Sequence, residues 1–269
     1  MSAIDALFRE LRSTGHKALM PFVTAGDPDL AFTEELIRRL AGRGCHLFEL
    51  GIPYSDPIAD GPVIQESYTR ALGHKIKLAE ILPMVGRLTA GESWKAPIVT
   101  MLSYSIVFRH GLERYVADAK AAGVAGAIVP DLPVEEAGPL AEVCRCEDFS
   151  LIQLITPTTP RDRALRIADR TTGFIYYVSV TGITGERTAL PPEILENVGW
   201  LREQTPLPIC IGFGISRPEH VRMLSPVADG LIVGSAIVRR IAEAATKPRE
   251  QVLDEIGDYA AELLAAMAK

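Results

Sequence analysis

Short apolar runs alternate with amphipathic stretches along this chain, and that alternation restricts the fold more than any other feature. Eight runs read as strands: Lys17–Val23, Cys45–Ile52, Pro97–Leu102, Val124–Val129, Phe149–Ile155, Phe174–Val180, Leu207–Ile211 and Gly230–Val233. They are nearly continuous in apolar character, as strands of a parallel sheet covered on both faces are. Between them the spacing predicts helices over Leu30–Arg43, Gln65–Leu72, Leu78–Ala90, Gly111–Ala122, Val134–Cys146, Arg161–Thr171, Glu193–Gln204, Pro218–Leu224 and Arg249–Ala268. Alternation of this kind means a parallel sheet with helical crossovers. An open doubly wound sheet would give a similar pattern. The first strand, however, is followed by Thr24-Ala25-Gly26-Asp27-Pro28-Asp29 and lacks the G-x-G-x-x-G turn a dinucleotide would want. The expected architecture is one (β/α)8 TIM barrel over residues 1–269, preceded by an extra amphipathic helix within Met1–Arg12 (Ile4, Leu7, Phe8, Leu11).

Composition excludes several partners. A net charge of -6 and a pI near 5.5 argue against nucleic acid. No apolar run approaches the ~18 residues of a membrane span, and the first residues lack a signal-peptide core. The four cysteines (Cys45, Cys144, Cys146, Cys210) are scattered, and Cys144-x-Cys146 has no second pair to complete a zinc site. Reduced thiols in a cytoplasmic protein are the expectation.

One segment joins an apolar strand to an acidic loop: Phe48-Glu49-Leu50-Gly51-Ile52-Pro53-Tyr54-Ser55-Asp56-Pro57-Ile58-Ala59-Asp60-Gly61-Pro62. Glu49 stands inside the apolar run, where an ionised carboxylate is costly unless paired. Asp60 follows on a loop that Pro53, Pro57 and Pro62 stiffen. Two carboxyls in unlike environments could divide acid and base work. Spacing alone equally allows a helix N-cap or a helix-paired glutamate.

In a barrel, the loops after the strands gather at one face and carry the active site. Glu49, Asp60, Tyr104, Asp131, Tyr176, Thr184, Phe213, Gly214, Gly234 and Ser235 all fall at or just after strand ends. Gly212-Phe213-Gly214 after the seventh strand and Gly234-Ser235 after the eighth can present bare backbone N–H groups to a phosphate. Either pair alone reads as a tight turn; both together, at the usual phosphate position of this architecture, favour phosphate binding. No lysine falls where a Schiff base would need one, because Lys17, Lys75, Lys77, Lys95, Lys120, Lys247 and Lys269 lie in helices, loops or strand starts. The histidines (His16, His46, His74, His110, His220) are dispersed, so no metal site is expected. What remains is a phosphate handle opposite carboxylates, suited to acid–base work on a small phosphorylated molecule.

Several of these segments together resemble the tryptophan synthase alpha subunit. They are Pro21-Phe22-Val23-Thr24-Ala25-Gly26-Asp27-Pro28, the Glu49–Pro62 stretch, Pro130-Asp131-Leu132-Pro133, Gly182-Ile183-Thr184-Gly185, Gly212-Phe213-Gly214-Ile215-Ser216 and Gly234-Ser235-Ala236-Ile237-Val238. The resemblance covers nearly the whole chain. It implies a (β/α)8 lyase of tryptophan biosynthesis that cleaves indole-3-glycerol phosphate to indole and glyceraldehyde 3-phosphate. It also implies a chain without a cofactor of its own, joined in an alpha2-beta2 heterotetramer to a pyridoxal-phosphate beta subunit that receives the indole.

Carried over by motif, Glu49 is the acid/base that protonates indole C3, and Asp60 holds the indole N–H. Phe22, Tyr104 and Phe213 match positions near the ring, and Tyr176 one beside the reacting centre. Thr184 belongs to a closing loop over Thr181–Pro191, and Gly185, Gly214, Gly234 and Ser235 match phosphate ligands. Ile106 departs from the family's usual asparagine, which faces the beta subunit, and Glu186 stands where relatives carry a smaller residue. A free-standing indole-releasing lyase, another phosphate-binding barrel such as an isomerase, and a non-catalytic barrel that activates a beta subunit are the alternatives. The intact carboxylates and glycine turns speak against the last.

Overall fold

The computed structural model describes residues 2–58, 60–91, 94–179, 193–212 and 214–267. Helix α1 (Ala3–Thr14) precedes the barrel. Its start is fixed by a capping box in which the Ser2 hydroxyl accepts from the Asp5 N–H and the Asp5 carboxylate accepts from the Ser2 N–H, at 3.2 and 3.0 Å. The helix buries Ile4, Phe8 and Leu11, and the Phe8 ring meets Phe174 at 5.9 Å between centroids. Ile4 and Phe8 thereby join the cluster that fills the barrel interior from its N-terminal end.

The sheet comprises β1 (Ala18–Thr24), β2 (Phe48–Gly51), β3 (Ile98–Met101), β4 (Val124–Ile128), β5 (Ser150–Ile152), β6 (Leu154–Ile155), β7 (Ile175–Val178), β8 (Ile209–Gly212) and β9 (Gly230–Val233). Every pairing is parallel, in the order β5-β4-β3-β2-β1-β9-β8-β7-β6. The fifth strand expected over Phe149–Ile155 is therefore two short strands, interrupted at Gln153. Its halves pair with opposite ends of the sheet, β5 with β4 and β6 with β7, so one continuous run of chain closes the barrel.

Side chains alternate about this wall. Leu19, Phe48, Leu50, Ile98, Leu151, Ile211 and Leu231 pack outward against the helices, whereas Met20, Phe22, Val99, Met101, Ile128, Ile152, Tyr176 and Ile232 fill the interior. Both faces are covered, which is why the strands carry unbroken apolar runs.

Around the barrel lie α2 (Leu30–Gly42), α3 (Pro62–Gly73), α4 (Leu78–Thr89), α5 (Tyr104–His110), α6 (Leu112–Ala121), α7 (Gly138–Cys146), α8 (Arg161–Arg170), α9 (Glu193–Gln204), α10 (Pro218–Leu224), α11 (Ser235–Ala242) and α12 (Arg249–Met267). Three differ from expectation. Helix α5 is short and buries only Val107, so it offers little periodicity to read. Helix α7 starts at Gly138 and not at Val134, because Pro139 fits a first turn and residues 134–136 form a turn before it. Helix α11 begins directly at Ser235, where the sequence offers a helix start after the last strand but no helix range.

The N-terminal end of the barrel is locked by Asp229, which is 3% exposed. Its carboxylate accepts from Arg12 Nε and Nη2, both at 3.1 Å, from the Ile209 N–H at 3.0 Å and from Arg202 Nη2 at 3.3 Å. Burial pushes this carboxyl up, but the hydrogen bonds from Arg12 and Ile209 outweigh it and hold the group below the usual carboxylate range. Its stabilising contribution is therefore present above the ordinary carboxylate range and lost as pH falls through the lowered value. Asp229→Ala strands the buried Ile209 N–H and frees the partly exposed Arg12 and Arg202 guanidiniums, and should lower unfolding free energy by about 1–3 kcal/mol. Urea unfolding followed by circular dichroism would show this as a fall in midpoint, and an unchanged midpoint would deny the clasp its role.

Candidate active site

At the C-terminal ends of the strands a cleft opens toward solvent. Its wall takes Phe22 from β1, Asp60 from the loop after β2, Met101 from β3, Tyr176 from β7 and Ile232 from β9. Gly214, Gly234 and Ser235 come from the last two strand-to-helix turns. Of the residues singled out in the sequence, Phe22, Asp60, Tyr176, Gly214, Gly234 and Ser235 thus share one cavity. Tyr104 does not line it: it opens α5, where its backbone N–H donates to Asp131 Oδ1 at 2.8 Å and its ring lies 6.1 Å from that of Phe108. Thr184, Gly185 and Phe213 lie outside the described residues.

Glu49 sits in the barrel interior beside the cleft. Strand pairing sets it opposite Phe22 on β1 and Val99 on β3, and it is 1% exposed. Neither carboxylate oxygen has a hydrogen-bond partner among the described residues. Burial without a counter-charge pushes this carboxyl well above its ordinary range and so favours its protonated form. Burial and then the Glu49 charge raise the Tyr176 hydroxyl, which places that phenol within electrostatic reach of the carboxyl.

Two glycines make room for this arrangement. A methyl group on Gly212 would collide with the Tyr176 hydroxyl, and one on Gly51 would collide with the Phe22 ring and approach the Tyr68 hydroxyl. Backbone at these strand ends must stay bare for the aromatic rings to reach inward.

Asp60 is 8% exposed. Burial raises its carboxyl to about 6, opposed by a hydrogen bond from the Tyr54 hydroxyl and reinforced by the charge of Asp131. Its loop is pinned from α3: Gln65 Nε2 donates to the Asp60 carbonyl at 2.8 Å and to the Pro57 carbonyl at 3.2 Å. Helix α3 is itself tied to the loop after β1. Arg70 grips the buried Asp27 with two hydrogen bonds of 2.9 and 2.8 Å, and the Ser67 and Thr24 hydroxyls meet at 2.6 Å. The two carboxyls therefore differ in surroundings, one dry and unpartnered, the other hydrogen-bonded at a cleft wall.

Opposite them, Ser235 and Ala236 form the first turn of α11 with Gly234 as the preceding cap. Open N–H groups at a helix start favour an anion. The turn after β8 is braced by the Tyr259 hydroxyl donating to the Ser216 carbonyl at 3.0 Å and by the Ser216 N–H donating to His220 Nδ1 at 3.3 Å. Arg239, one turn along α11, also lines the cleft and was not singled out in the sequence. Its only signal there is its position four residues after Ser235, which brings it over the same face once α11 is a helix. Among the described residues no three His, Cys, Asp or Glu side chains gather as a metal site, and no helix is long and apolar enough to cross a membrane.

A closed parallel barrel with one carboxyl on the wall of a C-terminal cleft, a second buried beside it and a helix start opposite has the build of a TIM-barrel enzyme. The family profile of the tryptophan synthase alpha chain matches residues 8–267. The tryptophan synthase alpha chain of Rhodopirellula baltica is 57% identical over 267 residues, covering 96% of each chain. That of Geobacter sulfurreducens is 48% identical over 242 residues, with 89% of this chain and 90% of the relative covered. Among solved structures, tryptophan synthase subunit alpha from Legionella pneumophila superposes with a TM-score of 0.90 at 34% identity, covering 99% of this chain and 98% of that one. A chain from the a2b2 complex of Pyrococcus furiosus gives a TM-score of 0.85 at 39% identity, with 93% and 98% covered. This chain belongs to the tryptophan synthase alpha-chain family.

Proposed function

We propose that this chain carries out the lyase step of tryptophan biosynthesis, the cleavage of indole-3-glycerol phosphate to indole and glyceraldehyde 3-phosphate, with Glu49 and Asp60 dividing the acid–base work. The observation that carries the division is the unpartnered, buried Glu49 carboxyl beside a cleft that Asp60 lines. The substrate phosphate sits at Gly214, Gly234 and Ser235, with Gly185, outside the described residues, as a further ligand expected from the family resemblance. The indole ring lies between Phe22, Tyr176 and Asp60, and the family resemblance adds Thr184 and Phe213, outside the described residues, as further expected contacts.

Glu49 turns from the barrel interior and gives its proton to indole C3, leaving positive charge on the ring nitrogen. Asp60 accepts a hydrogen bond from that N–H, an interaction that strengthens as the charge develops. The carboxylate left on Glu49 then takes the proton of the hydroxyl on the carbon attached to the ring. The bond between that carbon and C3 breaks, its electron pair returns to the indole, and the aldehyde forms. This chemistry asks for no cofactor in this chain.

The finished indole passes to a beta subunit in an alpha2-beta2 assembly. The relative from Pyrococcus furiosus comes from an a2b2 complex described as mutually activating. Here Ile58 is 88% and Phe108 66% exposed, on the segments that follow β2 and β3 at the cleft face. Large apolar side chains so exposed beside an active site suit a protein partner. Ile106, in place of the family's asparagine, is half-buried against the core, so this departure leaves the exposed face to its neighbours. The free thiols at Cys45, Cys144, Cys146 and Cys210 suit a cytoplasmic setting.

The test is indole release from indole-3-glycerol phosphate, by the purified chain alone and with a beta subunit added. Slow release alone and a large rise with the partner is the expected result. Fast release alone would favour a free-standing lyase, and no release in either case would reject the assignment.

A further inference from the structure

The acidic loop carries a hydroxyl that the lyase mechanism above does not use. Tyr54 lies six residues before Asp60 and folds back over it, its hydroxyl donating to Asp60 Oδ2 at 3.3 Å. Its ring packs against Tyr68 of α3 with centroids 5.5 Å apart. The Tyr68 hydroxyl is buried and has no hydrogen-bond partner among the described residues, so it does not compete for the carboxylate. Tyr54 does not line the cleft. Its hydroxyl meets one oxygen of Asp60, Oδ2.

We infer that Tyr54 is a positioning residue: its hydroxyl holds Asp60 Oδ2 and thereby turns Oδ1 toward the cleft to receive the substrate's ring N–H. Resting on the acid–base division given above, this assigns Tyr54 to the reaction through Asp60 and not through the substrate. A carboxylate on a loop has two rotatable bonds, and a fixed second oxygen removes one choice of orientation. The pinning of the Asp60 carbonyl by Gln65 fixes the backbone, and Tyr54 fixes the side chain.

The same contact sets the protonation of Asp60. The groups that face this carboxyl are Tyr54 from its own loop, Tyr68 from α3, Asp131 from the loop after β4, Glu49 from β2 and Tyr176 from β7, with Arg239 of α11 on the wall of the same cleft. Tyr54 is the one whose hydrogen bond favours the ionised form, against burial and the like charge of Asp131. Burial, then Asp60 and Asp131, push the Tyr54 phenol up, so it stays a donor.

Tyr54→Phe keeps the ring on Tyr68 and removes only the hydroxyl. Two readouts are taken on the full chain. Carboxyl-labelled aspartate, with the Asp60 signal assigned by its loss in Asp60→Asn, should titrate about 0.5–1 pH unit higher in the variant by carbon NMR. The acid limb of kcat/KM for indole release should move upward by the same amount, with KM on the plateau above it changed less than twofold. An unmoved Asp60 titration overturns the inference whether or not the chain is a lyase. A moved titration in the variant, together with a parent chain that releases no indole, would leave the contact real and reject the lyase assignment instead. A raised KM with an unmoved acid limb would make Tyr54 a packing residue and overturn the positioning role.

Discussion

Glu49→Gln should lower turnover in indole release by about 10²–10⁴-fold while substrate still binds. Glutamine fills the same volume and accepts or donates hydrogen bonds, but it cannot give a proton to carbon. The fold tolerates the change because Glu49 contributes no ion pair and no hydrogen bond among the described residues. A carboxyl raised by burial, moreover, withdraws stability as pH climbs past the ordinary carboxylate range toward the raised value. The variant should therefore be at least as stable as the parent at pH 8, which separates a catalytic loss from an unfolding loss. Single-turnover kinetics with indole-3-glycerol phosphate, alongside thermal unfolding, checks both. Turnover within a factor of three of the parent would remove Glu49 from proton transfer.

Glu49 was legible in the sequence for the same reason that it is reactive in the structure. A glutamate inside an apolar strand run has no surface to reach, so the pattern that makes the strand also makes the carboxyl dry. The number of strand positions was legible too, because a wall covered on both faces leaves runs that turn residues punctuate. The interruption of the fifth run at Gln153 was not, since apolar periodicity carries no information about which neighbour each half will pair with. Helices α5 and α11 were missed because each is short and begins directly after a strand, leaving no turn to mark its start. That second omission bears on the site. The sequence already shows Gly234-Ser235 as bare N–H groups for a phosphate; what it does not give is the run of α11, which brings Arg239 to the cleft. Tyr104 shows the opposite limit. A strand end places a residue at the active face, but α5 turns Tyr104 away from the cleft wall, toward Asp131 and Phe108.

Asp60→Asn should reduce turnover by about 10²–10³-fold. Asparagine keeps the shape and offers a carbonyl oxygen to the ring N–H, so binding of the neutral substrate survives. It carries no charge, so it gives up the part of the interaction that grows as C3 is protonated. Asp60 also supplies a pH signature. With its carboxyl raised to about 6, the parent should lose kcat/KM as pH falls below that value, because the protonated acid neither attracts the charged ring nor accepts as well. The sign is fixed by the role: an electrostatic stabiliser must be ionised, whereas Glu49 must begin protonated, and burial raises both carboxyls. Asp60 thereby sets the acid side of the activity profile. Asp60→Asn should lose the limb near 6 and show a low plateau there instead. A pH series of kcat/KM in both proteins decides it, and a limb that persists in the variant would assign the acid side to another group.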